Sequence, residues 1–208
     1  MRMPQNTENY YNNGVLEHTR NTIFLPVSDE EEYWARGIHD VATMLLLHTP
    51  SPLETAVVMD YGCGNGRMSA AMAPQVAQLI ACDMNYDVLT AAFTQLTLIR
   101  GLPNISYVTA DRAQLHYHTS VDFLYCYQVL QHCLQEQVYE AVQMIAAVLK
   151  PTGCAMIHFP GLEQRPEYPV TGRCRCYLRE EIEELLAPYF SSIKIHTTHK
   201  EYVAECHP

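Results

Sequence analysis

Apolar and polar positions along the chain switch between two periods. Short, nearly unbroken apolar runs occur at TAVVMD (55–60), AQLIACD (77–83), ISYVTAD (105–111), VDFLYCY (121–127) and CAMIHF (154–159), the length and texture of buried strands. Between them the apolar residues recur every three or four positions. Val88, Leu89, Ala92, Phe93, Leu96 and Ile99 form one such face, and Gly101-Leu102-Pro103 closes it. Leu134, Val138, Ala141, Val142, Ile145 and Leu149 form a second, ending at Lys150-Pro151-Thr152-Gly153. Arg67 to Ala73 is a short helix stopped near Pro74, and Arg179 to Ala187 carries Ile182, Leu185 and Leu186 on one side. Ahead of the first strand, Ser28-Asp29-Glu30-Glu31 is a capping box; Trp34, Ile38, Val41, Leu45 and His48 follow at helical spacing until Pro50 and Pro52. SIKIHTTH and EYVAEC are joined too tightly for a crossover, so they pair antiparallel.

Strands alternating with helices call for right-handed crossovers. The expected fold is α/β: a doubly wound, seven-stranded, mostly parallel sheet with helices on both faces and an antiparallel C-terminal hairpin at one edge. Residues 1–54 read as an N-terminal arm and cap helix, and residues 55–208 as the core, within one domain overall. Residues 160–177 have no clear period and hold three prolines.

Charge and composition narrow the partners. The 208 residues carry 13 Lys and Arg against 23 Asp and Glu, a net −10, so the broad basic footprint of a phosphate binder is missing and nucleic acid is disfavoured. Three lysines are too few for an electrostatic membrane anchor, and no apolar run reaches the ~18 residues of a membrane span. No secretory leader is expected from the polar start. The cysteines at 63, 82, 126, 133, 154, 174, 176 and 206 lie mostly inside strand-like or helix-like runs, where free Cys behaves as a small buried hydrophobe. They point to a reducing, cytoplasmic setting rather than a disulfide scaffold.

The chemistry gathers where the first strand ends. Asp60-Tyr61-Gly62-Cys63-Gly64-Asn65-Gly66-Arg67 is a glycine turn between strand and helix, which lets backbone approach a ligand and offers free N–H groups. The spacing is G-x-G-x-G, and Arg67 stands where a dinucleotide fingerprint needs its third Gly. Asp60 would repel a pyrophosphate but suits a cationic amino acid. Asp83 closes the second strand, where it can accept both ribose hydroxyls. Asp111 follows the third strand, within reach of an adenine amino group. Three acids around one glycine turn describe a site for a nucleoside without phosphates.

VVMDYGCGNGRM, ACDMNYDVL, VTADRAQL, VDFLYCYQVLQHC and LKPTGCAMIHF, in this order and spacing, resemble the class I S-adenosylmethionine (SAM)-dependent methyltransferases over about residues 55–206. The resemblance implies SAM as cofactor and S-adenosylhomocysteine as product. It implies a binding set of Asp60, Gly62, Cys63, Gly64, Asn65, Gly66, Asp83, Met84, Asp111, Arg112 and Tyr127. In that set the glycines cradle the methionine part, Asp60 lies near its amino group and Asp83 holds the ribose. Asp111 and Arg112 flank the adenine, and Tyr127 lies beneath the sulfonium. Arg112 stands where a small residue is more usual, and Thr152 where Gly is usual. CYQV replaces the N/D-P-P-Y/F run of enzymes acting on planar amide or exocyclic base nitrogens, and no Asp-Asn pair suggests a magnesium-dependent catechol mechanism.

Outside that set, His132 is a candidate general base or a pocket-wall residue. Arg165, Arg173, Arg175 and Arg179 surround the 160–178 loop, as a substrate clamp or as solvated surface; Arg173 and Arg175 are assigned to the substrate pocket. Trp34 and Tyr33, with Tyr10 and Tyr11, are candidates to grip a substrate or to pack the helix. Cys174-x-Cys176 with His196, His199, Cys206 and His207 lacks zinc-knuckle spacing, so no metal is expected. The expected function is metal-independent methyl transfer from SAM to a small-molecule acceptor, an O or N nucleophile. A protein or RNA methyltransferase with a docking partner and a catalytically silent SAM-binding protein remain as alternatives. The oligomeric state is left open.

Overall fold

A computed structural model describes residues 30–50, 52–162, 175–198 and 201–208. The Ser28 capping box, Tyr10, Tyr11, Arg165, Arg173, Cys174 and His199 lie outside the described residues. Among the described residues, seven strands form a single sheet: β1 (Val57–Tyr61), β2 (Gln78–Asp83), β3 (Ile105–Thr109), β4 (Val121–Cys126), β5 (Leu149–Pro160), β6 (Ser192–Thr198) and β7 (Glu201–His207), in the order β3-β2-β1-β4-β5-β7-β6. β1 to β5 run parallel, and β7 is antiparallel to both its neighbours. The order reverses between β2-β1 and β4, which opens a crevice at the strand ends on that line.

Side-chain alternation along the strands divides the core. Val58, Leu79, Phe123, Cys154, Met156 and Val203 face α1 (Glu30–Leu47) and α2 (Arg67–Met72). Ala81 on the same face meets α3 (Tyr86–Phe93). Met59, Ile80, Leu124, Ala155 and Ala204 face α4 (Ala110–Tyr117), α5 (Gln135–Val148) and α6 (Arg179–Leu186). Among the described residues no helix is long and apolar enough to cross a membrane. Their seven cysteines are free thiols.

Four local expectations need correction. The buried stripe of α1 is Tyr33, Gly37, Val41 and Met44, whereas Ile38 is 63% exposed. Gly37 decides this rotation. A β-carbon there would sit 2.3 Å from the Arg67 carbonyl oxygen, so the bare backbone packs directly on α2 and turns Ile38 outward. The helix after β2 widens into a π-helical segment at Thr94–Ile99. That change of period keeps Leu96 buried and swings Ile99 into solvent. β3 stops at Thr109, and α4 takes up Asp111, so this acid lies in a helix's first turn and not at the strand end. β5 begins at Leu149, with an irregularity between its pairings to Val121 and Phe123 across the Pro151–Gly153 stretch.

The contact at Gly37 yields a signed expectation. Gly→Ala inside a helix ordinarily gains about 1 kcal/mol. Overpacking against an immovable carbonyl costs about 1–3 kcal/mol. Gly37→Ala should therefore lower stability in urea unfolding, whereas Ala42→Gly on the exposed side of the same helix should lose only the propensity difference.

Candidate active site

The glycine turn leaves β1 with all three glycines left-handed: φ is +77° at Gly62, +54° at Gly64 and +87° at Gly66. Two of them are also closely approached. A β-carbon on Gly62 would lie 2.3 Å from Val129 in the loop after β4, and one on Gly66 2.5 Å from Leu96. Gly62 and Cys63 donate backbone N–H groups to the Cys82 carbonyl at 2.7 and 2.9 Å, which ties the turn to β2. Gly66 is the N-cap of α2.

Asp83 fastens the other side. Its carboxylate accepts from the Gly64 N–H at 3.1 Å and from the Asn85 N–H at 3.0 Å. Burial raises its pKa, against the backbone N–H donors of Asn85, Gly64 and Met84. Each oxygen keeps a further lone pair for a ligand hydroxyl. A hollow opens beside this pair, lined by Tyr61, Gly62, Gly64, Asp83, Met84, Val88, Gln128, Val129, His132 and Cys133. It lies at the carboxyl ends of β1, β2 and β4, on the topological switch line.

His132 ends a 3-10 turn, Leu130–His132, and its Nε2 lies 3.2 Å from the Gln131 side-chain amide. Gln128 has φ +60°. A non-glycine residue held there stores of order 1–3 kcal/mol, a strain that clusters at binding sites.

Other candidates sit elsewhere. The Cys63 side chain packs with Ala81, Leu89 and Leu96, and burial pushes its thiol well up. Asn65 is buried, and its Oδ1 has no protein hydrogen-bond partner. Asp60 is buried two residues before the turn, where Ser69 Oγ donates to it at 2.6 Å. Asp111 and Arg112 are exposed on α4; Arg112 lines a separate groove with Tyr86, Phe93, Tyr107 and His116. Tyr127 stands just beyond β4, its ring centroid 4.6 Å from that of His158. Trp34 packs edge-on to Tyr33 under the Arg100 guanidinium, 3.7 Å from its ring centroid. Arg175 lies over the Tyr177 ring and bonds to Gln135, with Glu181 at 3.7 Å. Arg179 pairs with Glu183 one turn on.

Sequence reasoning missed Tyr61, Val88, Gln128, Val129 and Cys133 as lining. The loop after β4 carries no glycine or proline signal, so nothing in its residues announced a left-handed Gln128. It also missed the buried ion pair of Arg67 with Asp40 of α1, which explains why Arg67 can replace a small residue at the start of α2.

The comparisons with known proteins agree with this geometry. Residues 58–153 match a family model described as a methyltransferase domain. The biotin biosynthesis bifunctional protein BioHC of Cellvibrio japonicus is 32% identical over 118 residues, 56% of this chain; the chain spans 22% of that protein's length. Magnesium protoporphyrin IX methyltransferase (ChlM) of Synechocystis PCC 6803, crystallised with SAM, superposes with TM-score 0.69 at 17% identity over 100% of this chain and 99% of that one. The PH0226 protein of Pyrococcus horikoshii OT3 does so with TM-score 0.71 at 17% identity, over 96% and 98%. The family match runs from β1 into β5 and takes in the glycine turn and Asp83; over its whole length the chain is similar in fold to a methyltransferase crystallised with SAM. The residues at the turn fit that cofactor: left-handed glycines a ligand can approach, an acceptor carboxylate at Asp83, and an unpartnered buried amide oxygen at Asn65.

Asp60 carries a pH signature. Burial pushes its carboxyl from 3.8 up to about 6, against the Ser69 hydrogen bond and the charge of Arg67. Between those values the folded state binds more protons than the unfolded chain, so stability falls as pH rises through the window. The loss is about 3 kcal/mol, complete above pH ~6. Asp60→Asn should remove this component: its denaturation midpoint relative to the parent should improve progressively from pH 4 to 6.5. A difference that stays constant with pH would refute the buried, proton-holding carboxyl.

Proposed function

We propose that this protein transfers the methyl group of SAM to a small-molecule acceptor through an O or N nucleophile, without a metal ion at the reacting centre. One observation carries the reading: the left-handed glycine turn, the Asp83 carboxylate and His132 converge on one hollow at the switch line of the sheet. The small acceptor is supported by the net charge of −10 and by two matched proteins, one named for biotin biosynthesis and one for magnesium protoporphyrin IX. The free thiols fit a cytoplasmic setting.

When bound, SAM supplies a methyl group already activated on a sulfonium. The chain's own residues then have three tasks. Gly62, Gly64 and Gly66 present bare backbone to the amino-acid part of the cofactor, with Asn65 beside them and the Asp60 charge behind the turn. Asp83 accepts from the ribose hydroxyls while its Gly64 bond keeps the turn closed against β2; Met84 offers an apolar surface next to it. Val129, Cys133 and Tyr61 exclude water from the reacting end, where proximity and orientation supply most of the rate. Asp111, Arg112 and Tyr127 would act from the rim: Thr109, two residues before Asp111, pairs with Asp83 across the sheet. Trp34, Arg173 and Arg175 are assigned to the acceptor side. His132, with Gln131 at its Nε2, shapes the wall, and the acceptor's proton leaves to solvent.

The function is tested by incubating the protein with methyl-labelled SAM and a cell extract, then separating by molecular size. Label should appear in the small-molecule fraction. Label confined to protein or RNA would assign a docked macromolecular substrate, and cofactor binding with no label anywhere would assign a silent binder.

Two variants separate holding from proton transfer. Asp83→Ala should weaken SAM by about 2 kcal/mol in calorimetry, because charge-assisted partners are lost in a half-buried site. His132→Ala should leave SAM affinity and the acidic limb of the pH–rate profile intact. Loss of that limb with a fall in kcat of ~10²–10⁴ would make His132 the general base.

A further inference from the structure

At the opposite end of the strands from the glycine turn, four side chains from three elements point at one another. His48 comes from the end of α1, Cys154 from the start of the regular part of β5, and Glu205 and His207 from β7. One ligating atom from each lies within 4.8 Å of all the others. Glu205 Oε1 stands between the two imidazoles, 3.2 Å from His48 Nδ1 and 3.4 Å from His207 Nε2.

We propose that His48, Cys154, Glu205 and His207 form a structural site for a zinc-class divalent transition metal. The donor set is two imidazole nitrogens, one thiolate and one carboxylate, which suits borderline-soft Zn2+ and not Mg2+ or Ca2+. Zinc bonds of about 2.0–2.3 Å place tetrahedral ligands roughly 3.3–3.8 Å apart, so from separations of up to 4.8 Å the cluster needs to contract by up to about 1.5 Å. All four positions are filled by protein, the mark of a structural site; catalytic zinc keeps one position open.

The surroundings are arranged as outer partners of such a site. His207 Nδ1 lies 3.2 Å from the Gly153 carbonyl, which fixes its proton on Nδ1 and leaves Nε2 for the metal. His196 Nε2 lies 2.7 Å from Glu205 Oε2 and orients the carboxylate from its far side. His48 stacks on Phe123, with 15° between ring planes. Cys154 is buried at the back, whereas His48 and His207 are partly exposed and leave an entry path. Binding would release the thiol proton of Cys154 to solvent, with both imidazoles neutral. The metal would staple the end of the cap helix α1 to β5 and β7. Only His207 belongs to the histidines and cysteines that sequence spacing brought together. His48 and Cys154 lie 106 residues apart, beyond any spacing motif.

The test uses the full chain, stripped with chelator and titrated with Co2+ and then Zn2+. One equivalent of Co2+ should give a thiolate-to-cobalt charge-transfer band, and Zn2+ should displace it and raise the Tm where Mg2+ does not. Cys154→Ser should abolish the band, and the half-exposed His207→Gln should weaken Zn2+ at least tenfold while leaving SAM affinity unchanged. His196→Gln should cost about 10–100-fold as an outer partner. The proposal is overturned if no stoichiometric metal binds at micromolar Zn2+, or if the band and affinity survive in His207→Gln, which would assign binding to other thiols. Should Cys154→Ser fail to fold, the wild-type cobalt band and His207→Gln decide between the same two results.

Discussion

The site depends on a backbone that only glycine adopts without strain. At Gly62, Gly64 and Gly66 the chain is left-handed three times in five residues, and at two of these there is no room for a β-carbon. Because the turn is bare, Val129 and Leu96 press directly on it, so the loop after β4 and the helix after β2 are positioned by the same five residues. Asp83 then converts proximity into a bond, through its contact with the Gly64 N–H. The next residue after the turn, Arg67, carries the constraint outward: it pairs with Asp40, and its carbonyl is the surface on which Gly37 rests. Turn, sheet and cap helix are thus one chain of contacts.

Much of this fold was legible because its strands are short and apolar and its turns carry glycine and proline. The hairpin of β6 and β7, the parallel runs and the helices α3, α5 and α6 follow from period alone. α4 did not, since DRAQLHY has a single buried residue, Ala113, and pairs its exposed Leu115 with polar neighbours. A helix lying over a sheet edge needs little apolar surface and leaves little pattern. The face of α1 was misjudged for the converse reason: Gly37 has no side chain to count as apolar, yet it is the point of closest packing.

The site was legible in its backbone and less so in its walls. Gly62, Gly64, Asp83, Met84 and His132 meet in one hollow as their motifs imply. Val129, Gln128 and Cys133 were missed because a lining position there depends on loop conformation, which short-range pattern does not encode. The cluster of His48, Cys154, Glu205 and His207 is the extreme case: it exists only because β7 inserts antiparallel beside β5 and brings residues from both ends of the chain together.

That same insertion shapes how the molecule is made. Val41 and Met44 share one buried cluster with Cys154, Met156 and Val203. The surface under α1 is therefore incomplete until β7 has been synthesised, roughly 150 residues later; at about 5–20 residues per second that is some 8–30 s on the ribosome. Throughout that interval the first described helix carries an apolar stripe with no finished partner, the kind of segment chaperones hold. The helix can rest early on α2, through Gly37 and Arg67, but its buried face is completed only when β7 arrives.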